Sequence, residues 1–384
     1  MNKKRILIFA DYYLPGYKAG GPIQSIQSIC KSLEDTVNIY IVTRDRDIGE
    51  DKPYGTIVVN KWYKIDNITV IYKNSSQVNP FSLRKLLLEI KPDVVHVNSI
   101  MSVKFSLYPI LAIKSLPSLN IKRIISPRGE LSDGALLLKK RVKSFYILFL
   151  KITFFYGKFT WLATSNKEKF DILNIFNNKA NVKRIDNFPN ITNFKSQLVR
   201  PNPKLKKDLN LVFLSRVAPM KNLIFVIKLM KKIDFNIRLS VYGPLEDDLY
   251  YQKCVKLIES LPDNIVVSFL GPVKSSEIYK TLVNYDLFIL PTLGENFGQA
   301  IWEALASSVP VLISDNTPWK NLESSGVGWD VSLKSIDMFA MCLEEVYSMD
   351  EEQHSRIRKK CRDYSLNFVK LNNSMQQLKE LYTS

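Results

Sequence analysis

Two glutamates eight positions apart, Glu295 and Glu303, stand in the stretch Gly294-Glu295-Asn296-Phe297-Gly298-Gln299-Ala300-Ile301-Trp302-Glu303. The apolar run Leu287-Phe288-Ile289-Leu290 before it reads as a buried strand, and the apolar-periodic segment after it as a helix. Glu295 then falls in the loop at the strand's carboxyl end, with Glu303 inside the helix. Open α/β sheets bind ligands outside the carboxyl ends of their strands. Carboxylates accept hydrogen bonds from sugar and ribose hydroxyls. Backbone N–H groups around Asn296, Phe297 and Gly298 suit a phosphate. The competing reading is a pair of solvated surface charges.

Two cations precede this stretch. Arg216 and Lys221 lie five positions apart in Ser215-Arg216-Val217-Ala218-Pro219-Met220-Lys221-Asn222, a Pro-bearing loop after another apolar run. A planar guanidinium fork and an ammonium point charge can clamp a diphosphate between them. Near the amino terminus, Gly20 and Gly21 close a loop that leads from a first strand into a helix. Paired glycines permit close backbone approach to a ligand and open a helix start to a phosphate. The loop lacks the G-x-G-x-x-G fingerprint, which argues against a dehydrogenase.

These residues need elements to hold them. Apolar runs at 5–10, 37–43, 68–72, 93–98, 121–126 and 159–164 read as a first series of buried strands, with helices such as 21–34 and 81–90 between them. A polar, Pro-rich join near 187–204 separates these from a second series near 210–215, 236–242, 264–270, 285–290 and 309–313. Alternating strands and helices imply parallel sheets with helices on both faces. The chain of 384 residues is therefore expected to form two doubly wound, Rossmann-like α/β domains facing each other across a cleft. The expected bounds are 1–195 and 196–365, with 366–384 as a terminal helix.

Composition narrows the class. Cys30, Cys254, Cys342 and Cys361 show no pairing rhythm and read as reduced, buried residues of a cytoplasmic protein. The apolar run after Lys3-Lys4-Arg5 ends at Asp11, too short for a signal peptide, and eighteen uninterrupted apolar residues occur nowhere. Residues 1–190 hold a net +15 of the chain's +17. Such a field favours polyanions: anionic lipid headgroups, pyrophosphate-bearing substrates or nucleic acid. No RNP-like or helix-turn-helix pattern accompanies the charge, so nucleic acid is not an expected partner.

The residues quoted above resemble the retaining family 4 glycosyltransferases of the GT-B fold, of the surface-polysaccharide type. That signature is a Glu-x7-Glu pair before a small-residue helix and a Pro-Val strand, here Glu295, Glu303, Ala304-Leu305-Ala306 and Pro310-Val311. The resemblance implies hexosyl transfer, with retention, from a nucleotide-diphosphate sugar to a hydroxyl of a lipid-linked or polysaccharide acceptor, as in O-antigen or capsule synthesis. It implies that Arg216 and Lys221 neutralise the leaving diphosphate without a metal, and that no cofactor is required. Glu295 then holds sugar hydroxyls, Glu303 the ribose, and the loop at Gly20 and Gly21 lies over the donor diphosphate. Gln299 and Trp302 shape the donor fit. The resemblance also implies that the terminal helix packs back on the first domain. Rival readings are another GT-B activity such as a nucleotide-sugar epimerase, or a non-catalytic partner subunit of a glycosyltransferase.

One feature departs from the family pattern, and two others bear on the acceptor side and on the membrane. Ser126-Pro127-Arg128 stands where many members carry a catalytically important histidine. Arg128 has two readings, an acceptor-side contact or an ion pair with Glu130 or Asp133. His96, at the carboxyl end of a strand, is either an acceptor-side contact or a satisfied core histidine. Lys139, Lys140, Arg141 and Lys143 precede the aromatic-rich stretch 144–161. That pairing reads as peripheral contact with an anionic membrane on its cytoplasmic side, or as a core helix with a basic end.

Overall fold

The computed structural model describes residues 3–132, 136, 140–152, 157–176, 180–191 and 208–384, with backbone alone at 140 and 141. Lys139 and the side chains of Lys140 and Arg141 therefore lie outside the described residues, as does the expected 195/196 boundary. The chain divides into one unit of Met1–Phe188 with Asn373–Ser384, and a second of Pro189–Asn372.

In the first unit the strands are β1 (Arg5–Phe9), β2 (Asn38–Arg44), β3 (Trp62–Ile65), β4 (Ile68–Lys73), β5 (Val94–Val97), β6 (Lys122–Ile125), β7 (Thr160–Ala163) and β8 (Asn181–Arg184). Among the described residues they form one sheet in the order β3-β4-β2-β1-β5-β6-β7-β8, parallel except for the β3–β4 hairpin. Side chains alternate across it. Leu7 and Phe9 face a core made with α2 (Pro80–Ile90), α3 (Tyr108–Lys114), α4 (Lys140–Ile152) and α5 (Asn166–Phe176). Ile6 and Ile8 face the opposite core, made with α1 (Gly21–Leu33) and α12 (Ser374–Thr383). Both faces are covered, which is why the strands read as continuous apolar runs.

The second unit carries β9 (Leu209–Leu214), β10 (Ile237–Tyr242), β11 (Ile265–Gly271), β12 (Leu287–Leu290), β13 (Val311–Ser314) and β14 (Gly328–Val331). These form an all-parallel sheet in the order β11-β10-β9-β12-β13-β14. Its helices are α6 (Leu223–Met230), α7 (Asp248–Ile258), α8 (Ile278–Leu282), α9 (Gln299–Ala306), α10 (Ile336–Ser348) and α11 (Glu351–Leu371). The architecture is α/β, with two Rossmann-like parallel sheets. Each sheet has a switch point where the strand order reverses, β1/β5 in the first and β9/β12 in the second.

One expected boundary falls inside a helix. The terminal segment does not begin at 366, because α11 runs unbroken to Leu371, started by a capping box between Asp350 and Gln353. The segment that belongs to the first unit is Asn373–Ser384, whose α12 packs against α1. At the other join, the division falls between Phe188 and Pro189.

Candidate active site

The candidate site of the second unit is assembled by two loops at the β9/β12 switch point. The loop after β9 makes a 3-10 turn over Pro219–Lys221 and enters α6 through Asn222, whose φ is +59°. The loop after β12 meets it there. Leu293 N–H donates to the Met220 carbonyl at 2.8 Å, the Thr292 hydroxyl to the same carbonyl at 3.1 Å, and Asn222 Nδ2 to the Pro291 carbonyl at 3.0 Å. This stitching sets the Lys221 ammonium on the Glu295 carboxylate. The two side chains are only 11% and 13% exposed.

Arg216 stands differently. Its Nη1 donates to Glu246 at 2.5 Å, and both side chains are about 40% exposed. An exposed pair of this kind stabilises by about 0–1 kcal/mol, so the guanidinium is readily surrendered to a ligand. The Arg216 loop is fixed by its backbone instead. Ser215 N–H donates to the Tyr242 carbonyl and Val217 N–H to the Pro244 carbonyl, both at 2.9 Å. A Cβ on Gly243 would lie 1.9 Å from the Ser215 carbonyl oxygen, so glycine alone permits this approach. Glu246 and Gly243 escape a sequence reading; the only sign of the latter is a Gly-Pro step after a strand.

Gly298 caps α9 with φ +79°. It is buried, Asn296 is exposed, and the half-buried Phe297 ring packs against Trp319 and Phe368. The Phe297 carbonyl accepts from Trp319 Nε1 at 2.5 Å. Ile301, Trp302 and Leu305 are fully buried, each stabilising by about 2 kcal/mol, and they fix the helix that presents Glu303. Glu303 is itself 4% exposed and accepts from Gln299 Nε2 at 3.1 Å. Burial pushes its carboxyl up to about 7, an effect the Gln299 hydrogen bond partly offsets. Gln299 also ties the helix to Asn190, whose N–H donates to its Oε1 at 3.3 Å.

The first unit places its residues separately. Gly20, at φ +61°, precedes the first turn of α1, and a Cβ on either Gly20 or Gly21 would meet nothing within 4 Å. Of the two partners that the ion-pair reading of Arg128 offers, Glu130 is engaged instead by Ser99, Ile100 and Met101, and Asp133 lies outside the described residues. Arg128 Nε donates to Asn98 at 2.8 Å and its Nη1 to Asn187 at 3.3 Å, from a backbone at φ +54°. Its Nη2 is buried and has no hydrogen-bond partner among the described residues. Burial pulls this guanidinium below its ordinary value, opposed by Glu168. Glu168 is a further residue hidden from sequence reading: it accepts from Gly129 N–H and Thr164 N–H, both at 2.7 Å, and so holds the Arg128 turn.

His96 corrects the expectation of an acceptor-side contact. It is fully buried, with Nε2 2.7 Å from the Ser126 hydroxyl and Nδ1 2.7 Å from the Tyr382 hydroxyl. Both ring nitrogens are used inside the core, leaving none to offer a ligand. Burial, then the nearby Arg128, hold it neutral, well below the usual imidazole range. Lys143 is half-buried on α4. Among the described residues no cluster of His, Cys, Asp and Glu has the make-up of a metal site, and no helix is long and apolar enough to cross a membrane.

With this geometry in hand, the comparisons bear on the second unit first. Residues 194–363 match the family model of the glycosyl transferases group 1. The match takes in Arg216, Lys221, Glu295 and Glu303. Sucrose-phosphate synthase from Thermosynechococcus elongatus superposes with a TM-score of 0.72 at 14% identity, over 99% of this chain and 98% of its own. Anabaena HepE, in complex with UDP and glucose, gives 0.69 at 15% identity, over 98% of each chain. WaaG, a glycosyltransferase involved in lipopolysaccharide biosynthesis, gives 0.69 at 13% identity, over 99% of this chain and all of its own. The fold is that of the GT-B glycosyltransferases. A search of curated proteins gives no match.

Proposed function

We propose that the chain is a retaining, family 4 glycosyltransferase that moves a hexose-type sugar from a nucleotide-diphosphate sugar to a hydroxyl of a lipid-linked or polysaccharide acceptor, in surface-glycan synthesis. One observation carries the reading. Lys221 and Glu295 meet at the switch point of the second sheet, inside the segment that matches the glycosyl transferases group 1. A diphosphate seated there takes Lys221 as its counterion and Arg216 as its fork. Glu295, released from Lys221, accepts from the sugar hydroxyls, and Glu303 from the ribose. Charge developing on the leaving diphosphate is met by cations already in place, an effect for which removal of one partner costs about 2.7–4 kcal/mol of barrier. In this reading no metal is called on.

Peripheral membrane association belongs to the same reading. Along α4, Val142, Phe145, Leu148, Phe149 and Ile152 are exposed, and Lys151 lies among them. Apolar residues at that helical spacing, on the more basic part of the chain, suit the interface of an anionic membrane at its cytoplasmic face.

Transfer from labelled UDP-, GDP- and dTDP-sugars into a lipid-linked glycan, with the product anomer read by NMR, tests the proposal. Label in glycan with the donor's anomeric configuration is expected. Inverted product contradicts retention. Absence of transfer from every donor, by protein shown to be folded, contradicts the enzyme.

A further inference from the structure

The loop that carries Glu295 is gripped a second time, by the segment that follows β13. The Asn316 carbonyl accepts from Glu295 N–H at 3.2 Å, and Trp319 Nε1 donates to the Phe297 carbonyl at 2.5 Å. The stretch from Glu295 to Phe297 is thus tied at both ends. The segment that ties it is itself fixed. Trp319 N–H donates to the Thr317 hydroxyl at 3.2 Å, Asp315 N–H to the Val331 carbonyl at 2.9 Å, and Leu322 N–H to the Asp330 carboxylate at 2.9 Å. Trp319 is 3% exposed, and its ring centre lies 4.8 Å from that of Phe368 and 6.4 Å from that of Tyr364, both on α11.

A buried indole needs a partner for its N–H, and here that partner is a loop carbonyl two residues from Glu295. Packing against α11 alone would be served by a phenylalanine ring. The Lys221–Glu295 pair opens when a ligand brings its own anion, so it does not hold the loop while the ligand is bound. The bonds from Thr292 and Leu293 to Met220 secure only the root of the loop. The bonds to Asn316 and Trp319 use backbone groups of the loop and survive the opening of the pair. Resting on the glycosyltransferase reading above, we propose that Trp319 is a positioning residue of the donor site, its indole N–H fixing the Phe297 carbonyl so that Glu295 meets the sugar hydroxyls.

Isothermal titration of the full chain with UDP and UDP-glucose, GDP and GDP-mannose, and dTDP and dTDP-glucose tests this. For the class that binds, the readout is the dissociation constant of the nucleotide sugar divided by that of the plain diphosphate. Trp319→Phe keeps a ring in the core and removes the N–H. It is expected to raise the ratio about tenfold, with the diphosphate bound as by wild type. Tyr364→Leu thins the same cluster and leaves the N–H in place, so it is expected to lower the melting temperature without moving the ratio. Glu295→Gln raises the ratio by itself, and adding Trp319→Phe is expected to raise it no further, because one residue acts through the other. A ratio unmoved by Trp319→Phe, an equal movement with Tyr364→Leu, or a further rise in the double variant would overturn the assignment. In each of those cases the nucleotide sugar still binds and the transferase reading stands. Folded wild type that binds neither diphosphate nor nucleotide sugar of any class removes that reading, and this assignment with it.

Discussion

Lys221 and Glu295 neutralise one another across the switch point of the second sheet, one from the loop after β9 and the other from the loop after β12. Neither is freely solvated, at 11% and 13% exposure. The pair ties the two loops together and must open when a ligand brings its own anion. Substitution of its two members should therefore act in opposite directions. Glu295→Gln frees the ammonium, so plain nucleoside diphosphate is expected to bind as well as to wild type or better, while the extra affinity due to the sugar is lost. Isothermal titration with UDP and UDP-glucose separates the two. Equal losses for both ligands would show that Glu295 does not touch the sugar.

Glu303 gives the second unit a pH signature. Its folded carboxyl titrates at about 7, against 4.5 for an ordinary glutamate. Between these values the folded state keeps a proton that the unfolded chain releases, so stability falls as pH rises through the window. The contribution is present in full below about pH 4.5 and gone above about 7, and amounts to about 3 kcal/mol. Glu303→Gln should flatten that slope, read as the difference in melting temperature between variant and wild type across pH 4.5–8. A difference constant with pH would place the group's titration elsewhere.

Two glycines should rank by what their missing side chains would meet. On Gly243 a Cβ strikes backbone, the Ser215 carbonyl; on Gly298 it strikes the movable end of Ile301, at 2.7 Å. Gly298→Ala is expected to cost about 1–2 kcal/mol, from the left-handed backbone. Gly243→Ala should cost more, about 3 kcal/mol, and should displace the Arg216 loop as well. Thermal unfolding measures the order; the reverse order would contradict the backbone contact.

In the first unit the His96–Tyr382 contact pins the carboxyl-terminal helix. Tyr382→Phe leaves Nδ1 of a buried imidazole unpaired and is expected to cost about 1–3 kcal/mol, with faster amide exchange in α12. The pH dependence has the opposite sign to that of Glu303. His96 is held below 6.5, so its contribution is present above that value and falls as acid protonates the unfolded chain first. A first unit that gains stability between pH 6.5 and 5 would contradict this.

Much of this was legible in the chain. Strands buried on both faces advertise themselves as apolar runs, and the Glu295–Glu303 and Arg216–Lys221 spacings fall where a strand gives way to a loop. What escaped lacks local signal. β8 reads Asn-Val-Lys-Arg and lies at the sheet edge, so no apolar run marks it. β3 turns into β4 through Asp66, at φ +51°, and Asn67, without the Asn-Gly or Asp-Gly step that announces a tight hairpin. His96 finds Tyr382 286 positions away, and Asp11 finds Ser102 91 positions away. No spacing rule reaches that far, so the histidine looked available and the aspartate went unnoticed.

The most direct test of the central claim is a thermal-shift titration of wild type and Lys221→Ala with UDP-glucose, GDP-mannose and dTDP-glucose. A ligand at a hundred times its dissociation constant adds about 2.7 kcal/mol. One nucleotide class should raise the melting temperature of the wild type and leave Lys221→Ala where it was. Equal stabilisation of both proteins, or of neither, would contradict a donor site built on Lys221 and Glu295.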